Sequence, residues 1–117
     1  MSASGKKREL YAAAVIDSDT TTVSDSVQMH GRDENVFAVM TVSSRTDGTF
    51  TTTIQHSPDN ANWVTLKAGS ATSADGIDVM IIPATGYLTY VRASILSAST
   101  TDGATIKVEL FSKTPNS

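Results

Sequence analysis

The side chains able to do chemistry in this chain are few and widely scattered. His30 and His56 are its only two histidines. His30 lies in His30-Gly31-Arg32-Asp33, and His56 stands beside Ser57-Pro58-Asp59, so Asp33 or Asp59 could join an imidazole on a metal. Neither histidine sits in a His-x-His or His-x-x-x-His spacing, which would offer two imidazoles to one zinc ion. A structural or surface role is the plainer reading of both. Asp17 and Asp19 begin like a calcium loop, but the glycine and terminal glutamate of an EF-hand do not follow. Asp75, Gly76 and Asp78 could lend oxygens to calcium, although loops collect Asp and Gly for turn geometry alone. No serine occupies a Gly-x-Ser-x-Gly elbow, and no glycine-rich phosphate loop occurs. The absence of cysteine removes thiolate zinc sites, disulfides and a cysteine nucleophile. The expectation is a protein that is not an enzyme, with no catalytic residue, no cofactor and no metal site.

Binding residues are the next possibility. Lys6-Lys7-Arg8 is the one basic cluster in a chain of net charge −3. The seven aromatic residues do not interleave with a basic stripe, so nucleic acid is not an expected partner. No apolar run approaches a membrane span, and no secretory leader is evident, so synthesis in the cytoplasm of a host is expected. The cluster Lys6, Lys7 and Arg8 reads as a solubilising tail or as an arm lying along an acidic partner surface. Trp63 reads as a core residue or as an exposed aromatic platform for a sugar or a neighbouring subunit.

The elements that must carry these residues are strands. Runs such as Thr20-Thr21-Thr22 and Thr51-Thr52-Thr53 favour strands and loops, and no long stretch keeps helical periodicity. Residues 1–9 read as a flexible arm, 10–112 as one β-sandwich domain and 113–117 as a tail. Leu10–Ile16 is a first strand, with a short helix as the alternative because of Ala12-Ala13-Ala14. Asp17–Thr22 is a loop, and Val23–Met29 a second strand with Val23, Val27 and Met29 on one face. In Asn35–Ser43, Val36, Ala38, Met40 and Val42 share one face, and Phe37 and Val39 lie on the other. Gly48–Ala68 is a hairpin turning at Ser57-Pro58-Asp59-Asn60. Its return strand, Trp63–Lys67, needs either a bulge between Trp63 and Leu66 or Trp63 on the opposite layer. Ile77–Ile82 is a strand ended by Pro83, Tyr87–Ile95 another, and Ala104–Phe111 a last one pointing Ala104, Ile106, Val108 and Leu110 inward. The predicted core is Val36, Ala38, Met40, Ile54, Val91, Ile106, Val108 and Leu110. About eight strands at this spacing predict an all-β sandwich, jelly-roll-like, with an immunoglobulin-like sandwich as the alternative.

Three segments carry a resemblance. Thr22-Val-Ser-Asp-Ser-Val-Gln-Met-His-Gly31, Ile54-Gln-His-Ser-Pro-Asp-Asn-Ala-Asn-Trp63 and Gly86-Tyr-Leu-Thr-Tyr-Val-Arg-Ala-Ser94 together resemble small virion proteins of tailed bacteriophages, in particular capsid decoration (cement) proteins. The resemblance implies a β-sandwich that assembles as a symmetric oligomer, often a trimer, on the outside of a viral head. It implies the major capsid protein as partner, the capsid surface of the virion as location, and stabilisation of the shell as function. It brings no motif of binding residues. Residues that could meet the capsid or a sister subunit are therefore sought in the sequence itself: Lys6, Lys7 and Arg8 in the arm, and Phe37 and Val39 on the second face of their strand. The apolar run Val79-Met80-Ile81-Ile82 offers further surface. An arm of this kind would leave the fold's stability unchanged on removal. The alternatives are a carbohydrate- or receptor-binding module, for which Trp63, Tyr87 and Tyr90 are the aromatics, and another virion component such as a tail or neck protein.

Overall fold

The computed structural model describes residues 5–29, 34–82 and 89–113. Every regular element among them is a strand: β1 (Gly5–Ile16), β2 (Thr20–Val23), β3 (Val27–Gln28), β4 (Glu34–Ser43), β5 (Thr49–Ser57), β6 (Val64–Ala68), β7 (Gly76–Ile81), β8 (Tyr90–Ala98) and β9 (Ala104–Lys113). They form a four-stranded sheet ordered β1-β9-β4-β7 and a five-stranded sheet ordered β2-β8-β5-β6, with β3 also on β8. Outward from the β5–β6 turn the chain is one long antiparallel hairpin, in which β4 pairs with β7, β2 and β3 with β8, and β1 with β9. That hairpin is rolled so that β9 also meets β4 and β8 also meets β5. This is the winding of a jelly roll. An immunoglobulin-like sandwich is ruled out because, among the described strands, β5–β6 is the only consecutive pair that forms a ladder with each other; β2 and β3 share a sheet but each pairs with β8.

The core forms because strict alternation in the central strands sends apolar side chains into the space between the sheets. Val36, Ala38, Met40 and Val42 enter from β4, Phe50 and Ile54 from β5, Val91, Ala93 and Ile95 from β8, and Ala104, Ile106, Val108 and Leu110 from β9. All eight predicted core residues are buried. Thr52 is also fully buried, and its hydroxyl donates to the Met40 sulfur at 2.8 Å, which satisfies a polar group and links the two sheets.

Several expectations need correction. The first strand begins at Gly5, not Leu10, so residues 5–9 are not a free arm; Met1–Ser4 lie outside the described residues. Gly5 to Glu9 pair with Lys113 to Glu109, because β9 would otherwise present an unpaired edge. Two register shifts, around Leu10 and within Ala12–Ala13, then let Leu10 and Ile16 both reach the core despite the alanine run. Lys113, assigned to a tail, ends β9, and residues 114–117 lie outside the described residues. The expected loop Asp17–Thr22 is already strand from Thr20, paired with β8, and the predicted strand Val23–Met29 is broken at Ser24. There the Ser24 hydroxyl accepts the Ala93 N–H at 2.8 Å in place of a main-chain carbonyl, while the Ser24 N–H bonds to the Ala93 carbonyl at 2.8 Å. The break turns Val23 outward, 46% exposed, whereas Met29 is buried. The expected turns over residues 30–33 and 84–86, and with them His30, Asp33 and Tyr87, lie outside the described residues.

Truncating Val108 or Leu110 to Ala should cost about 2–4 kcal/mol in chemical unfolding, the usual range for emptying such a site. Deleting residues 1–9 should lower the melting temperature by several degrees, because it removes part of β1 and bares one edge of β9. An unchanged melting temperature would return those residues to the role of an arm.

Candidate functional site

The alternation that fills the core also sorts side chains on the outer face of the four-stranded sheet. Register places Ile81, Phe37, Phe111 and Lys7 in one row across β7, β4, β9 and β1. The next row is Val79, Val39, Glu109 and Glu9, and the next runs Ile77, Thr41 and Lys107. The β7–β4 half of the face is therefore apolar and the β9–β1 half charged. Phe37 stacks on Phe111 with ring centroids 5.1 Å apart and planes 11° from parallel. Beside them Ile77, Val79 and Ile81 remain 65%, 47% and 64% exposed. Phe37 and Val39 thus belong to one continuous patch. Of the apolar run 79–82, Val79 and Ile81 join this patch, whereas Met80 and Ile82 are core.

The charged half is organised by Glu109. Its side chain is 11% exposed and takes Lys7 on Oε2 and Lys107 on Oε1, each at 3.3 Å. Burial opposes its ionisation. The hydrogen bonds and charges of the two lysines outweigh that and hold the carboxyl below the usual range. Arg8 points to the other side of β1, where its guanidinium donates to the Gln28 carbonyl on β3 and ties the sheets together. Lys7 and Arg8 are thus engaged within the molecule. Lys6 pairs with Ser112 through its backbone.

Trp63 precedes β6 and lies on the outer face of the other sheet, half-buried. The Arg92 guanidinium stands 4.2 Å from the centre of its ring, and Arg92 Nε donates to Gln55 Oε1 at 2.8 Å. A bulge does interrupt β6: Ile54 pairs with Lys67 and Gln55 with Thr65, which leaves Leu66 as the extra residue, packed against the core.

The acidic residues hold loops. Asp59 caps its own turn: Oδ1 accepts the N–H groups of Ala61 and Asn62 at 3.0 and 2.9 Å, and Oδ2 the Asn62 amide at 2.6 Å. These bonds, led by those of Asn62, pull its carboxyl far below the usual range. Asp47 holds the loop before β9 by accepting the N–H groups of Thr101 and Gly103 at 3.0 and 2.9 Å and of Asp102 at 3.1 Å, which also lowers its carboxyl. Gly103 is required there, with φ +77°, since a Cβ would fall 1.7 Å from the Ile16 carbonyl oxygen. Asp19 accepts the Thr100 N–H, Asp75 the Arg45 N–H and Asp78 the Ser70 N–H, at 2.7, 2.9 and 2.9 Å. Asp17 is exposed in the β1–β2 connection. Among the described residues no three His, Asp or Glu side chains gather as a metal ion would need. Burial holds the His56 imidazole below its ordinary value.

Sequence reasoning missed Ile77 and Phe111 as surface residues, although their strand alternation marked both as opposite to core positions. The Lys7–Glu109 ion pair and the Arg92–Trp63 stack join residues far apart in the chain and leave no local signal.

No protein-family model matches this sequence, and no curated protein does. Solved structures share the fold. The SPBc2 prophage-derived protein YomS aligns over 97% of this chain and 96% of its own, with a TM-score of 0.61 and 13% identity. PirA aligns over 93% of this chain and 92% of its own, with a TM-score of 0.50 and 16% identity. At such identities the likeness is one of fold.

Asp47 and Asp59 have folded-state carboxyls below the ordinary value of 3.8. Their contribution to stability is complete above that value and is lost as the pH falls through it toward the lowered folded-state value. The melting temperature should therefore drop on acidification below pH 4, and the variant carrying Asp47→Asn and Asp59→Asn should show a shallower drop. Parallel melting curves against pH would show that these carboxylates do not hold the loops.

Proposed function

We propose that this chain is a bacteriophage structural protein that binds the outside of a capsid and stabilises the shell as a decoration protein. The observation that carries the reading is the apolar half-face in which the exposed Ile77, Val79 and Ile81 adjoin the half-buried Phe37, Val39 and Phe111. A patch of this kind on a small domain suits a large partner surface. A fold shared over nearly the whole chain with a prophage-derived protein supports a phage origin. So do the segments around Ile54–Trp63 and Gly86–Ser94 that resemble decoration proteins. The partner in this reading is the major capsid protein, and the protein self-associates, with a trimer preferred for threefold shell positions. Many weak contacts would hold such an oligomer, because tethering raises the effective concentration of each further contact. A ligand that binds only the assembled shell stabilises it by mass action.

The carbohydrate- or receptor-binding alternative draws on the opposite face, where Trp63, Arg92 and Gln55 converge. It predicts glycan binding lost on Trp63→Ala.

Electron microscopy of purified particles should place the chain on the outer capsid surface. Purified protein should co-sediment with shells lacking it and raise their disassembly temperature. The variant Ile81→Lys should lose both effects while keeping its own melting temperature. Density for the chain on a tail or neck instead of the head would overturn the reading, as would co-sedimentation indifferent to Ile81→Lys.

A further inference from the structure

Strand β7 forms a free edge of the four-stranded sheet, six residues long. The Ile82 N–H bonds to the Val36 carbonyl at 2.9 Å. By the alternation of an antiparallel ladder, Met80 and Asp78 also turn their main-chain groups toward β4, and Ile77, Val79 and Ile81 turn theirs outward. Among the described residues no main-chain bond outside the ladders reaches these three. The same residues carry the exposed side chains of the patch, at 65%, 47% and 64%. Soluble proteins usually guard such an edge with Lys, Pro or a bulge. β7 has none of these. Its one charge, Asp78, lies off the outer face with Oδ2 on the Ser70 N–H at 2.9 Å.

We propose that β7 pairs antiparallel with β7 of a second copy of this chain, about a twofold axis through Val79. In this register Val79 meets Val79 of the second copy, and Ile77 and Ile81 meet the second copy's Ile81 and Ile77. All are hydrogen-bonded pairs with apolar side chains on one face. The neighbouring registers are worse. An axis at Asp78 sets two carboxylates directly opposite each other, and an axis at Met80 leaves Ile77 beyond the end of the facing strand, which stops at Ile81. The contact makes the two four-stranded sheets one eight-stranded sheet and lays their apolar half-faces side by side.

The edge spans about 20 Å, and a contact one strand deep covers on the order of a quarter of the roughly 800 Å² per partner of a stable interface. The free protein therefore pairs weakly, and pairing becomes extensive where copies are held close together. The inference takes up the self-association in the proposed function and names its contact. A twofold edge contact builds dimers, and beside a threefold contact it joins one trimer to the next.

The test is sedimentation and amide hydrogen exchange on the full chain in solution, without shells, from about 10 μM to about 1 mM, the range that so small a contact requires. Association should rise with concentration, and the amides of Ile77, Val79 and Ile81 should gain protection with it. Val79→Lys and Val79→Glu, both at an exposed position, should each weaken association about tenfold or more by opposing like charges. An equimolar mixture of the two variants should restore it. Absence of any association at 1 mM, association indifferent to Val79→Lys, or a mixture no better than either variant would each overturn the pairing. Co-sedimentation with shells is read separately. Shell binding without edge pairing sinks this inference alone, and edge pairing without shell binding sinks the decoration reading alone.

Discussion

The inward row of β9 holds the molecule together. Ala104, Ile106, Val108 and Leu110 are all but fully buried, and both neighbours of β9 take their register from it. A slip of one residue would send this row into water and bring Thr105, Lys107 and Glu109 into the core. Strand β8 does the same in the other sheet, where Val91, Ala93 and Ile95 set the register of β2, β3 and β5. The Asp47 carboxylate fixes the loop that carries the chain from one sheet to the other, so the two registers are set relative to each other at that crossing.

With the core fixed in this way, the two outer faces are free to differ, and they do. One face is apolar toward β7 and charged toward β1, with Glu109 holding two lysines in place so that the charged half is nearly neutral in detail. The other face is rich in threonine, with Thr49, Thr51 and Thr53 in one strand and the Trp63–Arg92–Gln55 group at one side. A hydroxyl-rich face suits water, while the apolar half-face is costly to leave wet. That asymmetry is the physical basis for reading the protein as a component of something larger.

Much of the fold was legible in the sequence because its central strands obey a period of two. Val36 to Val42, Phe50 to Ile54 and Ala104 to Leu110 reveal their buried faces by alternation alone, and Phe37 and Val39 stand out as apolar residues on the wrong side for a water-facing strand. The edges were harder to read. Lys7 and Arg8 look like a tail until Glu109 and the Gln28 carbonyl, distant in the chain, are brought beside them. Ser24 breaks a strand through a hydroxyl that stands in for a main-chain group, a substitution with no periodic signature. Trp63 is placed by a cation from another strand. Winding order is invisible to periodicity, since both sandwich types share the same alternation and differ in which strands meet.

The winding also governs how the chain reaches its folded state. Both sheets are built around the last two strands, so in a nascent chain β1, β2, β3 and β4 have no central partner until Tyr90–Lys113 has left the ribosome. Up to that moment only the local hairpin of β5 and β6, fastened by Asp59, and the β4–β7 ladder have their partners within the synthesised segment. Closing loops of this length before any core contact is made places the protein among slow-folding topologies. The alternating apolar strands wait exposed in the meantime. High-level synthesis at lower temperature, or alongside a chaperone that shields strand edges, therefore suits this architecture better than rapid expression.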